Sequence, residues 1–334
     1  MRQGRTELWA ETNHGLAAGL GPNLCKLAEE WGIYASMVVT GVTEELSATE
    51  VANLVGVPAA TIRSWERRYG WPRPARTTGG HRRYSSAEIA NVRALRDEIA
   101  KGRSAQQAVT LLRRQASRRR GVEVGRLVQG AVDIDQALVR RALADVEATM
   151  NLDEAVESVV IPALREIGLQ WEKGACDIAG EHAATGQIRQ WLGRLLDEAR
   201  PRGAAPTVVL STGPADYHSA NLEAFAVLLA RRGCNPLVLG ALTPVASLVQ
   251  AVRTLSAEGV IVVSHMGITR RAALDSITTV SGLRQTQVFY AGNGFAAARS
   301  RKGVPGTYLG AEMGPAATLV AERVGFSGGT GGGR

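Results

Sequence analysis

Apolar residues recur along this chain at two different spacings, and the change between the spacings divides the chain. From residue 124 to residue 199 they recur every three or four positions, as in LVRRALADVEATM, which is typical of amphipathic helices. This pattern predicts a helical bundle with helices at roughly 124–132, 135–150, 152–171 and 178–199. From residue 206 onward the spacing changes to short apolar runs separated by helical stretches.

The short apolar runs predict the strands of a parallel sheet. They are TVVLST, PLVLG, GVIVVSH, QVFYAG and GTYLG, and amphipathic stretches stand between them. Strands buried on both faces and alternating with helices are typical of the doubly wound, flavodoxin-like arrangement, here of five strands over residues 205–325. The glycine-rich tail, 326–334, is expected to be flexible, and residues 1–44, which show little periodicity, are expected to be a disordered leader.

Shorter elements precede the bundle. SATE is a capping box that opens a helix ended by Gly56, and AATIRSWERRYG predicts a second helix ended by Gly70. The GGHRRY turn and a second capping box, SSAE, follow, and the latter opens a third helix. Two short helices, a tight turn and a wing predict a winged helix-turn-helix domain over residues 45–118. The arginine run at 118–121 indicates a boundary, which leaves 122–200 for the bundle.

Charge separates the head from the rest of the chain. The net charge of the 334 residues is +8, but residues 61–120 carry 16 Arg or Lys against 4 Asp or Glu. A basic segment joined to a slightly acidic remainder indicates a nucleic-acid-binding module. The 3 cysteines form no C-x-x-C pair, and no apolar run or signal sequence suits a membrane. We therefore expect a cytoplasmic protein without disulfides, cysteine zinc sites or a membrane partner.

The segment TIRSWERRYGWPRPARTTGGHRRYS closely resembles the DNA-binding head of the MerR family of transcription regulators over about residues 46–115. The resemblance implies that double-stranded operator DNA is the partner. It places Thr61, Arg63, Arg67 and Arg68 on the recognition helix, and Arg76, Gly80, Arg82, Arg83 and Tyr84 in the wing. The wing also presents His81, and arginine suits both places because its planar fork binds phosphate or guanine. Trp65 is expected to pack in the core.

Three loops should border one crevice in the predicted sheet domain. Ligands of doubly wound sheets bind outside the carboxyl ends of the strands, where residues 214–218, 264–267 and 291–295 lie. Ser264, Gly267, Gly292 and Gly294 are therefore candidate cofactor contacts. The first loop lacks the G-x-G-x-x-G fingerprint of dinucleotide sites, and a phospho-receiver domain would need an aspartate where Ser264 and His265 stand. We assign no role to His265 or His14.

The D-x-H sequence at 216–218 resembles the cobalamin-binding unit of methionine synthase and the mutases. That resemblance implies that His218 is the lower axial ligand of cobalt and that Asp216 orients its ring. Neutral imidazole suits a transition metal, and a carboxylate on its other nitrogen fixes the tautomer. Asn221 stands where the family motif has glycine, which would alter the approach of the backbone to the corrin or its nucleotide tail.

The bundle carries a second resemblance. Trp171, followed after nine residues by Glu181 and His182, resembles the W-x9-E-H signature of the helical cap in the cobalamin-dependent, light-responsive repressors of the MerR family, the CarH, CarA and LitR group. The resemblance implies that the tryptophan shields the upper face of cobalt. After it those relatives have a histidine that captures cobalt on illumination, whereas this chain has Glu172. Three alternatives stay open: His182 substitutes, the photoproduct is water-ligated, or another cobalamin form or a bilin is bound.

Together these features predict a light-responsive transcription regulator, and most readily a repressor, whose oligomeric state and operator binding are switched by adenosylcobalamin or methylcobalamin. A single head reads a short half-site, so we expect a homo-oligomer, either a dimer or a tetramer. One alternative is a MerR-type regulator that senses another ligand, a bilin or nothing. The other is a cobalamin-dependent enzyme module, which is disfavoured because no segment is left for a substrate-holding (β/α) barrel and a DNA-binding head would have no task. We do not expect an enzyme.

Overall fold

A computed structural model describes residues 46–76, 80–283 and 285–327. The leader expected at 1–44 and residues 328–334 of the expected tail lie outside the described residues. The chain divides between Ala105 and Gln106 into two compact units, and each is described by itself. No helix in the described part is long and apolar enough to cross a membrane.

The first unit begins with the two helices predicted from the caps. Helix α1 spans Ala48–Val55 and α2 spans Ala59–Tyr69. The Ser47 hydroxyl accepts from the N–H of Glu50 while the Glu50 carboxylate accepts from the N–H of Ser47, so the capping box is complete. Gly56 and Gly70 end the two helices with φ values of 71° and 58°, which glycine adopts without strain.

The wing and the third helix complete this unit. Strands β1 (Ala75–Arg76) and β2 (Arg82–Arg83) pair antiparallel, and α3 spans Ser86–Ala100. The Ser85 hydroxyl caps α3 by accepting from the N–H of Glu88 at 3.3 Å. The Glu88 carboxylate accepts from the N–H of Arg73 at 2.9 Å, so it ties the segment before the wing to α3.

The second unit opens with the helical cap. Its elements are α4 (Ala105–Val132), α5 (Gln136–Thr149), α6 (Leu152–Ala155), a π-helical turn (Val156–Val160), α7 (Ile161–Glu172) and α8 (Ile178–Ala199). The four predicted helices are therefore present, and no break in the helix marks the boundary expected at 118–121. Those residues lie inside α4, a continuous helix of 28 residues, because an arginine-rich stretch favours a solvated helix as readily as a linker.

The doubly wound sheet follows the cap. Its strands are β3 (Thr207–Thr212), β4 (Asn235–Gly240), β5 (Gly259–Val263), β6 (Gln287–Ala291) and β7 (Thr307–Tyr308). They are all parallel in the order β4-β3-β5-β6-β7. Helices α9 (Ala220–Ala230), α10 (Val245–Thr254), α11 (Arg270–Val280) and α12 (Met313–Ser327) connect or follow them. This is the flavodoxin-like order, whose topological switch point lies between β3 and β5.

One apolar core joins the cap to the sheet domain. Ile188 and Leu192 of α8 belong to the same buried cluster as Leu210 of β3 and Leu228 of α9. A second cluster covers the other face of the sheet, against α10 and α11. The cap therefore packs as part of the second unit and buries one face of the sheet through α9.

Candidate functional site

The loop after β3 is fixed by its backbone before any side chain is considered. The carbonyl of Asp216 accepts from the hydroxyl of Thr212 at 2.8 Å and from the N–H of Leu242 at 3.0 Å. The N–H of Asp216 donates to the carbonyl of Gly213 at 3.2 Å. Asp216 is thus held between the ends of β3 and β4, next to the switch point.

The Asp216 carboxylate is fully buried and is bonded on both oxygens. Its Oδ1 lies 3.0 Å from the backbone nitrogen of His218 and 3.0 Å from Nδ1 of the same residue. Its Oδ2 lies 2.6 Å from the backbone nitrogen of His265, 3.2 Å from Nδ1 of His265 and 3.3 Å from the hydroxyl of Thr269. One carboxylate therefore orients two imidazole rings.

These contacts fix the charge of the acid and the tautomers of the rings. Burial alone would raise the pKa of Asp216, but hydrogen bonds from the ring and backbone of His265 and from the backbone of His218 outweigh it and lower the pKa well below the ordinary value. An ionised carboxylate only accepts, so each ring must carry its hydrogen on Nδ1. The basic lone pair of both rings is then on Nε2.

His218 and His265 differ in exposure although they share Asp216. The His218 side chain is 59% exposed, whereas that of His265 is 14% exposed and its Nε2 is buried without a partner among the described residues. Their ring centroids are 5.5 Å apart. His218 can thus offer Nε2 to a bound group, as expected. His265, to which we assigned no role, is brought onto the same carboxylate by the end of β5.

Glycines let the loops after β5 and β6 approach each other. Gly292 has a φ of 99°, and a Cβ there would lie 2.2 Å from the carbonyl oxygen of Ser264. A Cβ on Gly294 would lie 2.5 Å from the hydroxyl of Ser264, which itself bonds the hydroxyl of Thr269 at 2.8 Å. Both predicted glycines therefore face the predicted serine. Gly267 is exposed at the start of the 3-10 turn Gly267–Thr269.

Asn221 lies in the first turn of α9, directly after the loop that carries His218, and is half-buried. Its amide therefore stands at the helix N-terminus beside the His218 loop, where the resembling motif has a bare glycine. Any group that approaches this end of α9 meets an amide side chain rather than open backbone.

The cap residues gather where α7 ends and α8 begins. Trp171 is 49% exposed, and Glu172 is the last residue of α7. In the first turn of α8 the Glu181 carboxylate accepts from the hydroxyl of Thr185 at 2.9 Å, and Nε2 of His182 lies 3.4 Å from the same carboxylate group. Trp171 and Glu172 thus end α7, while Glu181 and His182 lie in the first turn of α8 and the Asp216 loops lie at the sheet edge. That the cap residues and these loops face a single cofactor stays a prediction.

The head presents most of its predicted DNA contacts to solvent. Arg63, Arg67 and Arg68 are exposed on α2, Thr61 is half-buried, and Gly80 and His81 are exposed in the wing turn. Arg82 forms an ion pair with Glu66, which links the wing to α2. Arg83 is half-buried on β2, and the side chain of Arg76 on β1 lies outside the described residues.

The prediction that Tyr84 contacts DNA from the wing is wrong. Its side chain is fully buried, so it packs in the core of the head and does not reach phosphate from the wing surface. Burial raises the pKa of its hydroxyl, and neighbouring charges led by Glu66 add to the effect. Trp65 is buried as expected. An aromatic residue directly after basic wing residues is therefore an anchor for the wing.

A basic helix-turn-helix head joined to a doubly wound domain with an oriented histidine defines a ligand-responsive DNA-binding regulator. Comparison with known protein families supports this class of protein. The MerR HTH family regulatory protein matches residues 46–115, and the B12 binding domain matches residues 124–196, which is the helical cap.

Two curated relatives share both parts. The HTH-type transcriptional repressor CarA of Myxococcus xanthus is 34% identical over 206 residues, which cover 59% of this chain and 69% of that protein. The HTH-type transcriptional repressor CarH of the same organism is 30% identical over 250 residues, which cover 70% of this chain and 82% of that protein. Among solved structures, the monomethylamine corrinoid protein of Methanosarcina barkeri aligns with 61% of this chain and 96% of its own, at 15% identity and a TM-score of 0.45.

The chain therefore belongs to the family of MerR-type transcriptional repressors with a B12 binding domain that includes CarA and CarH. It is a DNA-binding transcription regulator rather than an enzyme, since these relatives are repressors and the head is a MerR helix-turn-helix.

Proposed function

We propose that this chain is a repressor whose operator binding and oligomeric state are switched by a cobalamin bound at the carboxyl edge of its sheet, with light as the signal. The observation that carries the proposal is the His218 ring, which is exposed at the switch point of the sheet while its Nδ1 is held 3.0 Å from a buried carboxylate. An imidazole fixed in this way presents Nε2 as a ligand for cobalt.

The residues around His218 suit a large, partly apolar cofactor. Tyr217, Met266 and Ile268 are 75%, 46% and 84% exposed, and all three lie in the loops that carry the two histidines. An exposed apolar group of this kind marks a binding surface more often than a free one. The close packing at Gly292 and Gly294 holds the Ser264 loop against the next loop, which keeps the floor of the site rigid.

The chain's own residues then have distinct tasks. His218 would bind cobalt through Nε2, Asp216 would keep the ring in the Nδ1–H tautomer, and Trp171 would contact the cofactor from the cap. Bound adenosylcobalamin or methylcobalamin supplies a cobalt–carbon bond that light can break. Glu172 and His182 would line the cap side of the site, and a movement of the cap there would pass the signal to assembly.

Absorption spectroscopy tests the proposal. The full chain is incubated separately with adenosylcobalamin, methylcobalamin and biliverdin, freed of excess by gel filtration, and its visible spectrum is recorded before and after illumination. We expect a retained cobalamin spectrum that changes with light. Retained biliverdin alone would favour a bilin sensor, and no retained colour would overturn the cofactor hypothesis.

Matched variants locate the site. His218→Ala should remove the lower ligand, and Asp216→Asn should weaken cobalamin binding about 10-fold to 100-fold because the ring loses its orienting acceptor. Asp275→Asn changes an exposed carboxylate on α11 whose partner is Arg271, and it should bind as the parent does. Equal binding by all variants would show that the cofactor is held elsewhere.

A further inference from the structure

The carboxyl edge of the sheet carries a second histidine, His265, although one histidine is enough to bind cobalt. Asp216, His218 and His265 offer ligand atoms that all lie within 4.8 Å of one another, and the central carboxylate is fully buried. Two imidazoles and one carboxylate form the ligand set with which zinc and other first-row divalent ions are bound, with further positions open to water.

Two of the ligand separations are compatible with a shared ion, and the two imidazoles offer ligand nitrogens within 4.8 Å of each other. Nδ1 of His218 is 3.0 Å from Asp216 Oδ1, and Nδ1 of His265 is 3.2 Å from Asp216 Oδ2. Ligands bonded at about 2.1 Å to one metal are separated by about 3.0 Å at right angles and about 3.4 Å at tetrahedral angles. Both observed separations fall within this interval.

We propose that, without its corrinoid, the protein binds one first-row divalent cation of the Zn²⁺ class between Asp216, His218 and His265. In this state both rings carry hydrogen on Nε2 in place of Nδ1, so that each Nδ1 can face the ion. The backbone N–H groups of His218 and His265 and the hydroxyl of Thr269 still hold the carboxylate. His218, the exposed member, leaves room for water on the ion.

The ion and the corrinoid exclude each other. The ion takes Nδ1 of His218, whereas a cobalt ligand role requires that same nitrogen to donate to Asp216. This competition rests on the proposed function, but binding of the ion alone does not. Zn²⁺ would then compete with cobalamin for the regulator, so the loading of the sensor would depend on the supply of divalent metal.

Calorimetric titration of the full, chelator-stripped chain with Zn²⁺ tests the site. We expect one ion per chain, and at least about tenfold weaker binding in His265→Gln and His218→Gln, because an amide is a poor ligand for zinc. Asp275→Asn should bind as the parent does. Thermal unfolding of each metal-free variant shows that it is folded, and Zn²⁺ should raise the Tm of the parent but not of the two glutamine variants.

The visible spectrum of bound Co²⁺ gives a second readout that does not depend on stability. Its ligand-field bands should appear with the parent and be lost with His265→Gln. The absence of saturable binding by the parent, or binding by both glutamine variants at parental affinity, would overturn the proposal. Protein loaded with hydroxocobalamin should take up no Zn²⁺, and uptake at parental affinity would contradict the exclusion.

The outcomes separate the two proposals. Binding of Zn²⁺ without retention of any cobalamin would leave the cation site standing and remove the proposed cofactor. Retention of cobalamin by a chain that binds no Zn²⁺ would do the reverse.

Discussion

A buried carboxylate is costly unless every oxygen has partners, so the surroundings of Asp216 decide what this residue can do. Its partners come from two strands. His218 lies in the loop after β3, two residues from Asp216, whereas His265 and Thr269 are 49 and 53 residues beyond Asp216, after β5. Because β3 and β5 are adjacent in the sheet, the imidazole rings of His218 and His265 both reach the carboxylate of Asp216. The set of groups that contact Asp216 therefore depends on the order of the strands in the sheet.

Cys234 gives a pH-dependent prediction at the residue scale. Its thiol is fully buried in the turn before β4, and burial raises its pKa to about 11. A thiol in the unfolded chain has a pKa of about 8.5, so the unfolded state loses its proton first. The free energy of unfolding should therefore fall as pH rises from about 8.5 to about 11, by roughly 3 kcal/mol in full.

Urea denaturation of the parent and of Cys234→Ala across this pH range measures the effect. The variant lacks the titrating thiol, so its stability should decline less with pH, while Cys176 contributes equally to both proteins. Parallel curves for the two proteins would contradict the prediction.

Individual elements of the sheet domain meet through glycine. The loop after β6 can lie against the loop after β5 only because Gly292, at φ 99° and ψ 167°, is in a region that other residues scarcely populate. Ser264 is consequently pressed between Gly292 and Gly294, next to the residues that bond Asp216. The geometry of the site is thus set partly by the absence of side chains.

We expect Gly292→Ala to destabilise the protein by at least about 3 kcal/mol, because strain adds to a methyl group 2.2 Å from a backbone oxygen. Gly303→Ala is the matched control: its φ is 74°, but a Cβ there would meet nothing within 4 Å. It should cost only about 1 kcal/mol, from backbone strain alone. Similar losses in chemical denaturation would show that the loop relaxes without cost.

The basic head yields a salt-dependent prediction. Each arginine that contacts phosphate releases a counterion, so Arg67→Ala and Arg83→Ala should weaken operator binding and each reduce the log–log salt slope by about 1. Arg82→Ala should also destabilise the head, because its ion pair with Glu66 is lost. Gel shifts over a series of salt concentrations measure this, with Arg271→Ala, an exposed residue of the other unit, as the control. Unchanged slopes would contradict the wing assignment.

The elements were predictable where the signal is local, and less so where it is not. The capping box at Ser47, the glycine stops and all five strands were predicted, because caps and apolar runs act over a few residues. The arginine-rich residues 118–121 form part of a helix rather than a linker, and charge composition does not distinguish the two. The burial of Tyr84 and the convergence of His265 on Asp216 are tertiary facts that linear spacing does not encode.

At the scale of the whole molecule, the cap and the sheet domain act as one packed body. Besides the shared core, Arg232 at the end of α9 pairs with Asp153 of the cap, and the Glu157 carboxylate accepts from the N–H of Gly314 at 2.6 Å. Glu157 lies in the π-helical turn, so this turn is pinned to the first turn of α12. Any movement of the cap at Trp171 would therefore occur while α6 and the π-helical turn are anchored to the sheet domain.

Oligomer assembly would transmit such a movement of the cap to operator binding. One head covers a short half-site, so tight binding requires at least two heads, and any state that favours the oligomer favours operator occupancy by mass action. We therefore expect the sedimentation mass of the cobalamin-loaded chain and its operator affinity to change together on illumination. His218→Ala, loaded in the same way, should show neither change. Operator affinity that shifts while the mass stays constant would place the switch within the head itself.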